Sequence, residues 1–175
     1  ACEPEELRQK FGVVFQNDTV FNDTLDENIR FGRELEEGRV EQAARDACAY
    51  DFIMEKEDGF AHEAAIRGAN LSGGQKQRLL ITRALAGRPE ILVLDDSSSA
   101  LDYKTDAKLR QAIRENYAGT TIVMVAQRVS SLMGLDHILV LEEGEPIGYG
   151  SHEELLAGCE VYREIYETQM GSMPD

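Results

Sequence analysis

Two adjacent carboxylates, Asp95 and Asp96, follow directly after the fully apolar run Ile91–Leu94. Such a run is typical of a buried strand, and in open α/β sheets ligand sites lie at the carboxyl ends of the strands. Paired carboxylates at that edge suit Mg²⁺, which prefers oxygen ligands and usually keeps several waters. On the local pattern alone, a second interpretation is equally acceptable, in which one of the two carboxylates caps the following turn.

Two glutamines follow other strand-like runs at corresponding places. Gln16 comes directly after Phe11–Phe15, and Gln127 comes directly after Thr121–Ala126. One such ending carries little information, because polar residues commonly end strands. Several of them along one predicted sheet edge make Gln16 and Gln127 candidates for the same ligand site.

The segment Leu71–Gln75, LSGGQ, precedes a helical stretch rich in Arg and Leu. Ser72 and Gln75 have the spacing of a capping box, which predicts Ser72 at the N-cap and two glycines in the first helical turn. Such a helix start presents free N–H groups and the positive end of the helix dipole to an anion, and glycines let a phosphate approach the backbone. Taken alone, an ordinary glycine-containing helix cap is the more common explanation.

The elements that must position these residues alternate between strand and helix, which indicates the α/β class. Continuous apolar runs predict four parallel strands covered on both faces, at Phe11–Phe15, Ile91–Leu94, Thr121–Ala126 and Ile138–Leu141. Helical punctuation predicts helices at Lys76–Ala86 and Tyr103–Tyr117, and the capping-box spacing of Ser151 and Glu154 predicts another that runs through Ile165. The opening residues ACEPEELRQK are expected to lead directly into the first strand, and we expect the chain to be part of a longer protein.

Residues 26–70 contain no strand-like run, and their pattern predicts short helices at Glu27–Ile29, Val40–Tyr50 and Asp51–Glu55. We interpret residues 17–79 as a helical subdomain inserted into a sheet core formed by residues 11–16 and 80–175. The stretch Leu141–Gly150 has the turn residues Glu143 and Gly144 between two apolar pieces, which predicts a hairpin.

The order of the motifs is specific: LSGGQKQR, a helix, ILVLDD and then SSALD. This order resembles the ATP-binding cassette (ABC) ATPase family, and within it the exporter branch whose ATPase is fused behind membrane helices. FGVVFQND with VFNDTLDENIRFG resembles the Q-loop region, and GYGSHEELL resembles the closing segment. Leu71–Gln75 matches the signature motif, Ile91–Asp95 the Walker B strand and Ser99–Asp102 the D-loop. The resemblance covers nearly all of the 175 residues and implies a P-loop NTPase-like (RecA-like), mostly parallel sheet with an inserted helical subdomain.

The family's mechanism implies a role for each matching residue. Two ATPase domains face head to tail, and each ATP is held with Mg²⁺ between one domain's phosphate loop and the other domain's signature. The resemblance therefore implies that Leu71–Gln75, and in particular Ser72, Gly73 and Gly74, bind the γ-phosphate of the partner's ATP. Gln16 would contact Mg²⁺ and the attacking water, and Asp95 would hold Mg²⁺. Asp102 would lie in the D-loop at the dimer interface.

Two departures from the family pattern fall at the predicted catalytic positions. The residue after the Walker B Asp is normally Glu and here is Asp96, and the switch histidine is replaced by Gln127. A carboxylate shortened by one methylene positions the attacking water poorly, and errors near 1 Å cost on the order of 100-fold in rate. The combination is similar to the degenerate subunit of heterodimeric ABC exporters, which keeps an intact signature for its partner's site. Alternatively, each change alone is drift, with Asp96 a slow base and Gln127 still a hydrogen-bond donor.

No GxxxxGK[ST] phosphate loop occurs in the sequence. We expect this loop to precede the present residues in the longer protein, and the 175 residues alone to bind ATP weakly, if at all, and to lack hydrolysis. Ile66 is a further departure, since exporters commonly place Glu there, in a segment that touches the membrane domain. The expected partners are therefore a second, different ATPase domain and the membrane domain of the same full-length chain, at the cytoplasmic face of the cell membrane.

The net charge of −15 argues against a nucleic-acid partner, which needs clustered Lys and Arg. No apolar run reaches the roughly 18 residues that a membrane span needs. The widely spaced Cys2, Cys48 and Cys159 suit a reducing compartment and structural roles. The three histidines lack partners at metal-ligand spacing, so they are interpreted as structural.

Two other functions stay open at this stage. One is a non-catalytic regulatory half whose signature serves only to complete a partner's site. The other is a soluble ABC ATPase of DNA repair or translation, against which the VFNDTLDENIRFG segment and the acidic composition argue.

Overall fold

The computed structural model describes residues 3–171, which divide into two compact units, residues 3–125 and 126–171. Each unit is described by itself. Cys2 lies outside the described residues, and Cys48 and Cys159 are free thiols, the first half-buried and the second buried. The boundaries proposed for a helical subdomain at residues 17–79 stay a prediction. In the described part of the chain, no helix is both long enough and apolar enough to cross a membrane.

A three-stranded parallel sheet forms the centre of the first unit. Its strands are β1 (Phe11–Val14), β2 (Ile91–Asp95) and β3 (Thr121–Val125), in the order β1-β2-β3. The register pairs Val14 with Leu94 and Asp95 with Val125. The prediction of three parallel strands from continuous apolar runs is confirmed here, although β1 and β3 each end one residue earlier than expected.

The prediction that every strand is covered on both faces is wrong for β3. Alternate residues of the first two strands, including Val14, Leu92 and Leu94, lie in the core at no more than 1% exposure. Val123 and Val125 of β3, in contrast, are 49% and 55% exposed. An apolar run predicts a strand, but it does not reveal whether another element packs on each of its faces.

Six α-helices belong to this unit: α1 (Pro4–Gln9), α2 (Leu25–Arg30), α3 (Arg39–Asp46), α4 (Tyr50–Met54), α5 (Gly73–Ala86) and α6 (Tyr103–Asn116). Two short 3₁₀ turns lie at Gly59–Ala61 and Ile66–Gly68. The opening residues lead into β1 at Phe11 as expected, but they also form α1, which the sequence analysis did not predict. Proline in its first turn, followed by Glu5 and Glu6, favours a helix start.

Helix α5 is the central helix of the core. Its residues Leu79, Ile81 and Leu85 are fully buried, and α2 and α3 pack against it. The carbonyl groups at the carboxyl end of α5 lack hydrogen-bond partners within the helix. Two arginines, Arg33 and Arg39, donate hydrogen bonds to them. Arg33 donates to the Arg83 carbonyl at 2.6 Å, and Arg39 donates to the carbonyls of Leu85 and Ala86. The end of α5 is thereby held by two buried or half-buried cations.

The second unit contains α7 (Val129–Leu132), β4 (Ile138–Glu142), β5 (Glu145–Gly150), α8 (His152–Gly158) and α9 (Glu160–Met170). The prediction of Ile138–Leu141 as a parallel strand is wrong, since β4 pairs antiparallel with β5. The predicted hairpin is confirmed, with its turn at Glu143 and Gly144, both of which have positive φ. The single predicted closing helix is instead two helices, interrupted at Cys159, whose backbone is extended.

Candidate functional site

Gln16 and Asp96 lie together at the carboxyl ends of β1 and β2. The Gln16 amide Nε2 donates to Asp96 Oδ2 at 3.3 Å. Their proximity follows from the parallel register, in which Val14 is paired with Leu94. Gln16 lies two positions after Val14, and Asp96 lies two positions after Leu94. The structure thus brings together two of the residues that the sequence predicted for one site.

The backbone turns sharply at Asp96. This residue has φ of 47°, in the left-handed region, and its N–H donates to the Val125 carbonyl at 2.9 Å. In the turn that follows, the Ser99 hydroxyl donates a hydrogen bond to the main-chain carbonyl of Asp96 at 3.0 Å. The alternative in which a carboxylate side chain caps this turn therefore finds no support, and Asp96 directs its carboxylate to Gln16.

Asp95 is the last residue of β2 and is half-buried. Among residues 3–171, no hydrogen bond or ion pair engages its carboxylate. The same range contains no cluster of three or more His, Cys, Asp or Glu side chains that would bind a metal ion without help. Mg²⁺, however, is usually held by one or two carboxylates together with nucleotide phosphates. The carboxylate of Asp95 and the amide oxygen of Gln16 are chemically suited to a magnesium ion that arrives with a nucleotide.

The predicted capping box at the start of α5 is confirmed. Gln75 N–H donates to Ser72 Oγ at 3.2 Å, and Ser72 N–H donates to Gln75 Oε1 at 3.0 Å. Ser72 and Gly73 are exposed, while the Leu71 side chain is 6% exposed and belongs to the core. A ligand at this helix start would therefore meet Ser72 and the glycine backbone, and Leu71 anchors the segment.

Gly74 has a packing role beside any role in ligand binding. A Cβ atom at this position would lie 3.2 Å from the Ala100 carbonyl oxygen. The first turn of α5 therefore packs closely against the loop that follows β2, and a side chain at position 74 would require that loop to shift.

Sequence reasoning missed Gln77, which joins the same two segments. Its Oε1 accepts from the Ala100 N–H at 2.9 Å, and its Nε2 donates to Ser99 Oγ at 3.1 Å. Gln77 lies one helical turn after Gly73 and Gly74, so it shares their face of the helix. That spacing is the signal that could have identified it.

Asp102 is the N-cap of α6. Its carboxylate accepts from the Thr105 backbone N–H at 2.9 Å and from the Thr105 hydroxyl at 2.8 Å. These hydrogen bonds lower the pKa of the Asp102 carboxyl. The residue is exposed, so its position is compatible both with capping and with a contact to another molecule.

Gln127 belongs to the second unit, where its side chain is exposed. Its carbonyl accepts from Gln169 Nε2 at 2.7 Å, and Gln169 Oε1 accepts from the Val129 N–H at 2.8 Å. The side chain of Gln169 thus fixes the backbone after β3. A shared site of Gln127 and Asp96 remains a prediction.

The three histidines have local partners in the described part of the chain. His62 lies 3.3 Å from Asn70 Nδ2, His137 stacks on Tyr149, and the buried His152 lies 2.8 Å from the Tyr162 hydroxyl. Each contact suits the structural interpretation.

Ile66 is 70% exposed, on the first unit. Two exposed aromatic rings on the same unit, Phe21 and Phe31, lie 5.6 Å apart between centroids. The Arg83 guanidinium lies 5.3 Å from the first ring centroid and 4.8 Å from the second. The first unit therefore presents apolar side chains to solvent, and the buried Arg83 contacts the rings of Phe21 and Phe31.

Comparison with known proteins agrees with this arrangement. Residues 2–99 match the family model described as ABC transporter. The chain is 45% identical over 95% of its length to an ABC transporter ATP-binding protein of Bacillus subtilis, YfiB, of which it covers 29%. It is 39% identical over 97% of its length to an ATP-dependent lipid A-core flippase of Saccharophagus degradans, of which it covers 29%.

A solved structure of a bacterial Atm1-family ABC exporter with ATP bound superposes with a TM-score of 0.89 at 37% identity. The superposition covers 95% of this chain and 30% of the exporter chain. The present chain thus spans less than a third of the length of these relatives. With its parallel sheet, its capped glycine-rich helix and its paired carboxylates in the family's order, the chain belongs to the ATP-binding domain family of ABC transporters.

Proposed function

We propose that the chain is part of the ATPase domain of an ABC exporter, in the half whose own ATP site is degenerate. The observation that carries the proposal is the contact between Gln16 and Asp96 at 3.3 Å. A Gln and a carboxylate that meet at adjacent strand ends are suited to contact one attacking water together, and here the carboxylate is the short Asp96.

The magnesium ion of this site would be held by Asp95 and by the phosphates of ATP, with Gln16 beside it. An Mg²⁺ ion neutralises the charge that develops on the transferred phosphoryl group when it is bound there. Asp96 would act as a weak general base, because its carboxylate stands one methylene further from the water than a Glu carboxylate. Slow turnover at the chain's own site is the expected result.

The signature segment would serve a second ATPase domain. Ser72 and Gly73 are exposed at the start of a 14-residue helix, and the N–H groups of this turn suit the γ-phosphate of an ATP that the partner holds. Because this segment matches the family pattern, we expect it to complete a competent site on the partner. The chain would thus contribute to hydrolysis that takes place largely on the other subunit.

The membrane domain is the second proposed partner. Exposed apolar side chains of the first unit, among them Phe21, Phe31 and Ile66, are suited to contact a helix of such a domain. The lipid A-core flippase and the Atm1-family exporter among the relatives favour transport across a membrane over DNA repair or translation. The proposed location is therefore the cytoplasmic face of the cell membrane.

The test is nucleotide binding and ATPase activity of the full-length subunit, alone and mixed with a candidate partner from the same operon. We expect activity only in the mixture, and we expect it to survive Asp96→Asn. Fast hydrolysis by the lone subunit that requires Asp96 would contradict the degenerate-half proposal.

A purely regulatory half is distinguished by a second measurement on the same mixture. The partner's signature is inactivated, which disables hydrolysis at this chain's own site. Residual hydrolysis should then equal that of the intact mixture if this half is non-catalytic. A measurable drop would show that Asp96 still supports slow turnover.

A further inference from the structure

Gln77 bridges the helix α5 and the loop that follows β2, and neither the motifs nor the proposed function assigns it a role. Both ends of its amide are used: Oε1 accepts from Ala100 N–H at 2.9 Å, and Nε2 donates to Ser99 Oγ at 3.1 Å. Nε2 also lies 3.5 Å from the Asp96 carbonyl oxygen. A neutral amide can make both bonds, because its NH₂ group donates while its oxygen accepts.

The loop that follows β2 also contains hydrogen bonds of its own. The Ser99 hydroxyl donates to the Asp96 carbonyl at 3.0 Å, and Leu101 N–H donates to the Ser98 carbonyl at 3.0 Å. Leu101 is 4% exposed, and Gly74 allows the Ala100 carbonyl to approach the helix closely. The loop between Asp96 and Asp102 is therefore packed against the first two turns of α5.

We infer that Gln77 is a positioning residue that holds this loop against α5, so that Asp96 and the signature segment move as one body. Gln77 contacts no candidate ligand group in this arrangement, and it acts through Ala100, Ser99 and the Asp96 carbonyl. The functional consequence rests on the proposed function: Ser72 and Gly73 would contact the partner's ATP while Asp96 serves the chain's own site. Gln77 would then transmit the closure of one site to the other.

The local part of the inference is tested by amide hydrogen exchange on the full-length subunit that contains this chain, with Gln77→Ala and Gln77→Met. The second variant keeps the side-chain length and a high helix propensity while removing every hydrogen bond of the amide. We expect exchange at Ala100 and its loop neighbours to become about 10-fold faster, with the amides inside α5 unchanged. Gln111→Ala is the matched control, because among residues 3–171 its amide hydrogen-bonds only to Glu115, on its own helix. Unchanged exchange at Ala100 in Gln77→Met would overturn the inference.

The functional part is tested on the assembled full-length transporter with the same three variants. We expect kcat to fall about 10-fold in both Gln77 variants while the KM for ATP stays within about twofold, because no direct nucleotide contact is lost. An unchanged kcat, or a rise in KM with kcat unchanged, would overturn it. If the intact transporter shows no ATPase activity at all, the proposed function fails, and the exchange experiment still decides whether Gln77 holds the loop.

Discussion

The side-chain amide of Gln16 donates to the carboxylate of Asp96 across the ends of two neighbouring parallel strands, at 3.3 Å. Gln16 follows β1 and Asp96 follows β2, 80 residues apart in the sequence. This hydrogen bond fixes the direction of the Asp96 carboxylate. This arrangement is suited to the general-base role proposed for Asp96, in which the short side chain would limit the rate.

Restoring the family's residues at both departures should increase catalysis. In the full-length assembled transporter, Asp96→Glu combined with Gln127→His is expected to raise turnover at this chain's site by about 10- to 100-fold, since positioning of the water improves. The measurement is steady-state phosphate release with the partner's own catalytic carboxylate removed. Adding Asp95→Asn to the double variant is the control, and it should abolish the gain by removing the proposed Mg²⁺ ligand. No gain in the double variant would count against the degenerate-half proposal.

Two serine caps with the same geometry allow the effect of a cap on folding stability to be distinguished from its effect on ATP turnover. Ser72 at α5 and Ser151 at α8 each accept from an N3 backbone N–H at 3.2 Å within a capping box. Replacing either by Ala is expected to lower the free energy of unfolding by about 1 kcal/mol, measured by urea denaturation. Only Ser72→Ala should also lower ATP turnover of the assembled transporter. Equal loss of turnover in both variants would argue that position 72 matters only for folding.

The buried Arg83 should be intolerant even of lysine. Its guanidinium donates to the Asn28 carbonyl at 2.7 Å, to Asn28 Oδ1 at 3.0 Å and to the Thr19 carbonyl at 3.0 Å. Lysine cannot reproduce this planar fork, so Arg83→Lys is expected to cost about 2 to 3 kcal/mol of unfolding free energy.

The matched control for that variant is Arg45→Lys. Arg45 also lies over an aromatic ring, at 3.5 Å from the Tyr50 centroid, but its side chain is 51% exposed. Its replacement should change stability by less than about 0.5 kcal/mol, because exposed substitutions rarely do more. Similar losses in the two variants would show that the hydrogen bonds of Arg83 contribute little.

Tyr117 should make the stability of the chain depend on alkaline pH. Its hydroxyl donates to Asp46 at 3.1 Å and accepts from Arg39 at 2.7 Å. Burial raises the pKa of Tyr117 from 10.0 to about 12, against the opposing effect of Arg39. The neutral form is favoured in the folded state, so the stability that this group contributes is fully present below pH 10.0 and is lost as the pH rises through about 12.

Denaturation of the chain at pH 9 and pH 11.5 measures this loss, which should be on the order of 1 to 2 kcal/mol. Tyr117→Phe should be less stable at pH 9, because the hydrogen bonds are gone, and the difference from the natural chain should narrow at pH 11.5. Tyr149→Phe is the control, because Tyr149 is 69% exposed, and it should change the stability at neither pH. A constant difference between the natural chain and Tyr117→Phe would contradict the predicted dependence.

The features that sequence reasoning predicted correctly are those encoded by neighbouring residues or by strand order. The capping boxes of Ser72 and Ser151 require residues only three positions apart, so their geometry follows from local chemistry. The meeting of Gln16 and Asp96 required one further inference, that the carboxyl ends of parallel strands share an edge. Both kinds of prediction are independent of side-chain packing.

The failures lie where tertiary contacts decide. The apolar run at Ile138 is compatible with a parallel or an antiparallel strand, and pairing with β5 selects the second. Gln77 contacts residues that are 22 and 23 positions away, and no local pattern predicts which loop a helix face meets. The helix at Pro4 differs from these, since its proline and two glutamates were visible signals.

The left-handed backbone at Asp96 also limits how the site can change. Aspartate and asparagine adopt positive φ more readily than residues with longer side chains. A glutamate at this position would place its carboxylate closer to a water molecule, but its backbone would be more strained. Under the proposed function, Asp96 is thus a compromise between local conformation and chemical reach. A longer carboxylate at position 96 that increased the rate of ATP hydrolysis would therefore also make the turn less stable.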